Sequence, residues 1–417
     1  MSSSNGAINL NVTSKRQRRL YLDYNSTSPL LPYVAKQLFD KSNKHFVDII
    51  GNSSSTHSSG KNSKRLFTFV SDYLLDYFNL KNTHKVLFHS GATEGINIVV
   101  KGWALKRPRS SFYFSPVDHS AIWSVADDLS LYASINNNNN IKLSHIPVNS
   151  NGEYQYGENS ENGFENGFEN GLLNFTYVNN ETGVVNSLEE IVALKRKYPS
   201  LLIHVDAVQL PGKIENFHSL DPNIDFYTFS GHKFGALTGV GFTFIKNGVE
   251  NQIHPLISGG GQQQNLRSGS ENLHGIYSLM LALEYLRKHF SYDEQLQAKV
   301  YFEKELKKFL GGTCSSSRGE IVGCGAKNRD LSTVMFILYN CKSDILQMAF
   351  DLAGIDVSRG SACKAQTVEE NRVLLAMGYP SEMSKKAIRI SFSTYMTLNK
   401  AKVYFQKTKK ILERFVK

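Results

Sequence analysis

Short apolar runs alternate with stretches of helical periodicity along most of this chain, and that alternation restricts the folds open to it more than any other feature. Lys85–His89, Ser111–Ser115, Leu173–Val178, Leu201–Val205, Phe226–Phe229 and Val240–Ile245 have the length and composition of strands. Helical patterns such as Gly95–Leu105 and Ser187–Lys197 fall between several of them. A strand–helix–strand order lays successive strands parallel and puts helices on the faces of the sheet. The predicted class is therefore α/β, with a largely parallel sheet covered by helices on both faces. Beyond about residue 270 the pattern changes to long helical stretches (Ile276–Phe290, Asp293–Phe309) and a few strands (Ser332–Leu338, Ala387–Phe392), which predicts a second, smaller α+β domain. The expected division is a large domain over residues 33–270 and a small one over 271–417, joined by the N-terminal segment 20–32.

Two low-complexity pieces interrupt the pattern, the polyasparagine run 136–140 and a near-repeat of Asn-Gly-Phe-Glu within 157–171. Both are expected to be solvent-facing insertions in a strand-to-strand connection; a partner-binding motif built on Phe164 and Phe168 is the sharper alternative. With 417 residues, 41% hydrophobic and 20% charged, the composition is that of a soluble globular protein. No apolar run approaches the roughly 18 residues of a membrane-spanning helix. Cys314, Cys324, Cys341 and Cys363 form no CxxC pair and no cluster with histidine, so reduced cytoplasmic thiols are expected, with neither disulfide nor metal site. The net charge of +10 is scattered through stretches such as Arg287–Lys308 and Lys400–Lys417, without interleaved aromatic platforms, and does not predict direct nucleic-acid binding. Residues 1–19 are rich in Ser and Asn, carry Lys15, Arg16, Arg18 and Arg19, and lack an apolar core; a disordered tail is expected, with an organellar leader as the alternative.

The residues with chemical potential fall where strands end, and ligands of open α/β sheets bind outside the carboxyl ends of the strands. Ser90-Gly91-Ala92-Thr93-Glu94 opens a helix and offers free backbone N–H groups to a phosphate, although an ordinary capped helix start would look the same. Asp206 follows Leu201–Val205, with Gln209 close behind, and could pair with a ring nitrogen or a metal. Ser230-Gly231-His232-Lys233 closes another strand and runs into a glycine-rich turn; a desolvated lysine there becomes a nucleophile, whereas an isolated one is more often a surface residue. A lysine amine, an acid for a ring nitrogen and a phosphate cradle are together what pyridoxal phosphate requires. Further on, Val357-Ser358-Arg359-Gly360-Ser361-Ala362-Cys363 leads into the polar stretch Lys364–Asn371, which places an uncrowded thiol on a loop near basic residues. By itself that segment fits a role-less surface thiol equally well.

The chain resembles the cysteine desulfurases among the class V, fold-type I pyridoxal-phosphate enzymes. The resemblance runs from about Tyr21 to about Thr397 and rests on Tyr21–Pro29, Gly51-Asn52 through His57 and Gly60, Ser90–Glu94, Asp118-His119, Val178–Gly183, His204–Gln209, Ser230–Lys233, Gly259–Gln262, Arg267–Asn272, Gly360–Cys363 and Ile388–Ser391, in that order. It implies that Lys233 holds the cofactor covalently, that Asp206 pairs with its ring nitrogen, and that Gln209 and Asn180 bond its phenolic oxygen. It further implies that Ala92, Thr93, Ser230 and His232 hold the phosphate, with Ser270 reaching it from the second subunit of a homodimer, and that His119 stacks on the ring. L-Cysteine would be held through its carboxylate by Arg389 with help from Asn25. Lys233 would take the Cα proton, His119 would handle the thiol proton, and Cys363 would accept the sulfur as a persulfide. The Gly-Ser-Ala-Cys sequence matches the longer-loop branch, which serves iron–sulfur assembly and tRNA thiolation through a sulfur-acceptor protein. Related readings are a selenocysteine lyase, a class V aminotransferase, or a binding protein that kept only the fold. The chain departs from the pattern at Ser53 (usually proline), Ser270 (threonine), Arg359 (a small serine-type residue) and Ser393-Thr394 (glycine-arginine). It ends at Lys417 without the tail with which housekeeping members dock a scaffold, so the acceptor is left unnamed.

Overall fold

The computed structural model describes residues 19–42, 48–107, 110–135, 141–156, 168, 171–311, 317–360 and 370–416. Cys363, the run 136–140 and Phe164 lie outside these residues. In chain order the first elements are β1 (Leu20–Tyr21), α1 (Pro32–Phe39), α2 (Ser58–Tyr77), β2 (His84–His89), α3 (Ala92–Lys106), β3 (Ser111–Phe114), α4 (Ser120–Ile135) and β4 (Lys142–His145). Then come β5 (Gly171–Thr176), α5 (Leu188–Lys197), β6 (Leu202–Asp206), β7 (Phe226–Ser230), β8 (Gly241–Lys246) and α6 (Leu273–His289).

The strands of this half form one seven-stranded sheet in the order β2-β8-β7-β6-β5-β3-β4. Only β8 runs against its neighbours β2 and β7; every other pair is parallel. Strands β5 and β7 are buried along their whole length, which is why they appear in sequence as unbroken apolar runs rather than as alternation. On one face Ile96, Val99 and Trp103 of α3 pack with Phe112, Phe114 and Ile245 of the sheet. On the other, Val70 and Leu74 of α2 and Leu279 and Leu283 of α6 pack with Phe175, Val205 and Phe229. Phe168 lies in this core, edge-on to Tyr113 and Tyr198, so the one described side chain within the second insertion points inward.

A chain of buried polar groups crosses the sheet. Asn174 donates to Asp118 at 2.9 Å, and His204 joins Asn174 at 2.7 Å to Thr228 at 2.8 Å. Thr228 meets Thr243 at 2.9 Å, and Thr243 meets His89 at 2.9 Å. Burial pushes His89 down to about 4, so its imidazole is neutral and can serve such a chain at neutral pH. The arrangement needs Gly95 on α3, because a Cβ there would lie 2.5 Å from His89 Nε2.

The remaining elements are α7 (Tyr292–Leu310), β9 (Gly319–Ile321), β10 (Thr333–Leu338), α8 (Ser343–Leu352), β11 (Ile355–Asp356), α9 (Arg372–Ala376), α10 (Ser381–Ser384), β12 (Ala387–Ser391) and α11 (Leu398–Leu412). Strands β12-β10-β9 make an antiparallel sheet, and its inner face packs with α7, α8 and α11 around Phe302, Phe336, Phe350 and Phe405. This second core gathers from α7 onward, whereas α6, which follows the change of sequence texture near residue 270, packs into the first. The N-terminal segment belongs to both: Leu22 is buried in the second core, β1 pairs with β11, and Leu31 packs on the first core. No helix among the described residues is long and apolar enough to cross a membrane.

Gly95→Ala is expected to cost about 1–3 kcal/mol of stability by forcing β2 and α3 apart. An unchanged denaturant midpoint would contradict this account of the packing.

Candidate active site

Above the carboxyl ends of β2, β5, β6 and β7 lies a cavity of about 350 Å³ whose walls include Ser90, Ala92, Thr93, His119, Asn180, Asp206, Gln209, Ser230, His232 and Lys233. The parallel sheet assembles it, because each strand delivers its following turn to the same edge. Gly91 precedes α3 without a side-chain cap, so the first-turn N–H groups of Ala92 and Thr93 have no intrahelical partner. Glu94 braces the turn by accepting the Ser90 amide at 2.7 Å and pairing with Arg267 at 2.8 Å. Burial works to raise the Glu94 carboxyl, but Arg267 and Ser90 hold it down to about 2, so it stays ionised.

Asp206 ends β6 with its carboxylate accepting the Val208 amide at 3.1 Å. Burial pushes it up to about 6, with the nearby Asp118 adding to the effect. His119 is open to the cavity yet surrounded by protein below the surface; burial, with Lys233, Arg372 and Arg389 around it, pushes its ring down to about 4. His232 is likewise lowered to about 4 by burial and by Lys233, and its Nδ1 meets Thr27 Oγ1 at 3.0 Å. Lys233 Nζ donates to the carbonyls of Asn25 at 2.8 Å and Ser26 at 2.7 Å.

Asn25 is bound on every side. Its Nδ2 donates to the Asn180 carbonyl at 2.9 Å and to Thr333 Oγ1 at 2.8 Å, its Oδ1 accepts from Lys213, and its own carbonyl also accepts from Gln209 Nε2 at 3.0 Å. Arg389, on β12, is buried beside it. Arg389 Nη2 donates to Asp23 and to Ser26 Oγ, both at 2.8 Å, and Nη1 to the Asn180 carbonyl at 3.0 Å, while its buried Nε has no partner among the described residues. Asn180 thus separates this guanidinium from the cavity it lines. Ser270 is exposed and is not part of this chain's cavity wall. Ser53 donates to Glu271 at 2.7 Å, and Thr394 packs over Gly212.

Two buried residues, Asp118 and Glu181, and the half-buried Arg372 drew no role in the sequence reading and hold this frame. Asp118 accepts from Asn174, Thr176, Tyr154 and the Ser115 amide, fixing the turn that carries His119. Arg372 donates to the carbonyls of Pro116 at 3.0 Å and Asp118 at 2.7 Å and lies 4.6 Å above the Trp123 ring. Glu181 accepts from Asn371 at 2.6 Å, and a Cβ on Gly360 (φ +43°) would meet both groups, at 2.8 and 2.2 Å. The chain therefore reaches and leaves segment 361–369 at one point beside Asn180. The only sequence signal for these residues was their place inside the Asp-His and Asn-Asn-Glu motifs or next to the cysteine loop.

The chain belongs to the aminotransferase class-V family, whose sequence model matches residues 20–403. Within that family of pyridoxal-phosphate enzymes it is similar to proteins named cysteine desulfurase. It is 27% identical to "Cysteine desulfurase IscS" of Dictyoglomus turgidum over 96% of this chain and 95% of that protein, and 29% identical to "Cysteine desulfurase 2" of Trichormus variabilis over 95% and 93%. Among solved structures, a NifS-like protein superposes with a TM-score of 0.78 at 27% identity, covering 95% of this chain and all of the other. The NifS-like protein of Rickettsia africae gives 0.74 at 27% identity, covering 95% and 99%.

Because the folded-state value of Asp206 lies above its unfolded value near 3.8, its contribution to stability is full at low pH and is lost as pH rises. The stability of wild type relative to Asp206→Asn in the cofactor-free protein is expected to fall by about 3 kcal/mol between roughly pH 4 and 6. Parallel stability profiles for the two proteins would contradict the assignment.

Proposed function

We infer that this enzyme is a cysteine desulfurase that converts L-cysteine to L-alanine and leaves the sulfur as a persulfide on Cys363. One observation carries the reading: Lys233, the near-neutral carboxyl of Asp206 and the uncapped start of α3 line one cavity. That donor set fits pyridoxal phosphate. The phosphate suits the N–H groups of Ala92 and Thr93 with Ser230 and His232, the ring nitrogen suits Asp206, and the ring oxygen suits Gln209 and Asn180. Bound there, the cofactor supplies an electron sink for charge developing at the substrate Cα.

The protein groups divide the remaining work. Lys233 holds the cofactor and then takes the Cα proton. His119, neutral at physiological pH, would lie against the cofactor ring and offer a lone pair to the substrate thiol proton. Arg389, just behind Asn180, is the carboxylate anchor; it would receive the substrate by exchanging Nη contacts with Asp23, Ser26 and the Asn180 carbonyl, which Asn25 holds from the other side. The Cys363 thiolate would bond to the substrate sulfur as the Cβ–S bond breaks with its electron pair left on Cβ; one proton then goes to Cβ, and the proton taken by Lys233 returns to Cα, which gives alanine and leaves the sulfur on Cys363.

Release from Gly360 and return at Asn371, beside Asn180, supports a thiol that works at the cavity and then passes sulfur outward to an acceptor protein for iron–sulfur assembly or tRNA thiolation. A homodimer in which Ser270 faces the other subunit's phosphate site is consistent with its exposure. A cytoplasmic setting suits a protein that works with a free thiol.

Incubation with L-cysteine and a reductant is expected to yield alanine and sulfide in equal amounts; pyruvate with ammonia, or no turnover, would overturn the reading. An absorbance band near ~420 nm should disappear in Lys233→Ala. Cys363→Ser should keep that band and lose sulfide release, and retained release would exclude Cys363 as the acceptor. Arg389→Lys, which loses the planar fork, is expected to lower kcat/KM about 10–100-fold in steady-state assays.

A further inference from the structure

Beside the cavity, in the turn after β6, lies a buried lysine that the mechanism above leaves unused. Lys213 is 2% exposed and donates through Nζ to Gln209 Oε1 and to Asn25 Oδ1. Its backbone is fixed as well: the N–H donates to Leu210 at 3.2 Å, the carbonyl accepts the Leu331 amide at 2.9 Å, and Gly212 before it sits at φ +71° under Leu286 and Thr394. The side chain is thus delivered to one place by a rigid turn.

An ammonium can only donate, and a side-chain amide has one accepting and one donating end. A lysine wedged against two amides therefore decides which way round each is held. Gln209 must turn Oε1 to Lys213, which leaves Nε2 to donate to the Asn25 carbonyl at 3.0 Å with its second proton toward the cavity that Gln209 lines. Asn25 must turn Oδ1 to Lys213, which aims Nδ2 at the Asn180 carbonyl and Thr333. That same Asn180 carbonyl receives Arg389. One cation thus orients the Gln209 amide in the cavity wall directly and holds the Asn180 backbone carbonyl through Asn25.

We propose that Lys213 is a positioning residue, which fixes Gln209 so that an N–H rather than a carbonyl faces the ring oxygen of the cofactor, and fixes Asn25 so that the N-terminal segment holds Asn180 and Arg389 in register. The proposal rests on the pyridoxal-phosphate reading of the cavity. Burial lowers the Lys213 ammonium to about 7, opposed by Asp330 and reinforced by the cations Lys233, Arg389 and Lys299, while Gln209 and Asn25 supply oxygen acceptors to its charged form. An N–H aimed at the ring oxygen stabilises its anionic form, and both the loss of that donor and the loss of the nearby cation raise the pH at which the visible band titrates.

The test is a spectroscopic pH titration of the holoenzyme band near ~420 nm. In Lys213→Met the midpoint is expected to rise by about one pH unit, a tenfold change in the proton equilibrium. In a Gln209→Leu background the same substitution should move it by less than half as much, because the lysine acts through that amide. Gln209→Glu keeps a partner for Lys213 and so preserves the fold, but puts a carboxylate oxygen where the N–H stood; its midpoint should also rise. An unchanged midpoint in Gln209→Glu, or a Lys213→Met shift of equal size with and without Gln209, would overturn the proposal. Absence of the band from the wild-type protein would instead overturn the cofactor reading itself.

Discussion

The structure depends on a single buried residue, Asn25, whose backbone and side chain are matched on every side between two hydrophobic cores. A buried peptide group without partners is strongly unfavourable, so each partner of Asn25 is constrained to arrive in the right place. Those partners come from both halves of the chain: Lys233, Gln209, Lys213 and Asn180 from the large half, Thr333 and Ser391 from the small one. The junction of the two cores and the geometry of the cavity are therefore the same set of hydrogen bonds. This explains why the N-terminal segment, besides packing Leu22 and Leu31 into the two cores, carries so much polar chemistry.

Electrostatics follow from that packing. Lys213, Lys233, Arg389 and Lys299 crowd one buried region, and the carboxylates of Asp23 and Asp330 stand against them. Burial alone would neutralise Asp330, but Lys299, Lys213 and the hydroxyls of Thr333 and Ser332 hold it below its usual range. Burial, with the surplus of positive charge adding to it, keeps the neighbouring histidines His119 and His232 neutral.

Much of this was legible in the sequence, for definite reasons. Strands buried on both faces left unbroken apolar runs, and a parallel sheet gathers the residues after its strand ends, so Ser90–Glu94, Asp206, Gln209 and Lys233 could be placed together before any coordinates. Strand β4, Lys-Leu-Ser-His at the sheet edge, left no such run because it is only partly buried. The reversal of β8 was invisible because an apolar strand carries no mark of its direction. Helix α6 follows a change of texture but packs with the residues before it, since cores form by contact and not by sequence order. Lys213 looked like any lysine after a Pro-Gly turn; only the walls around it reveal that it has no access to water. Arg389 was expected, from its motif, to bind a carboxylate, whereas its bonds to Asp23 and Ser26 come from a segment more than 360 positions away in sequence.

The meeting of Gly360 and Asn371 on Glu181 has a consequence for how such a protein can diversify. Since the chain departs and re-enters at one point, the length of what lies between is not a variable that the scaffold senses; lengthening a loop between fixed ends changes closure entropy only slowly. Glu181 and Asn371 tie the two ends of the described chain together on either side of residues 361–369. Changes in the length of that segment therefore leave the hydrogen bonds around Asn25 untouched. The constraint would fall instead on Gly360, where a positive φ and two close neighbours leave no room for a side chain.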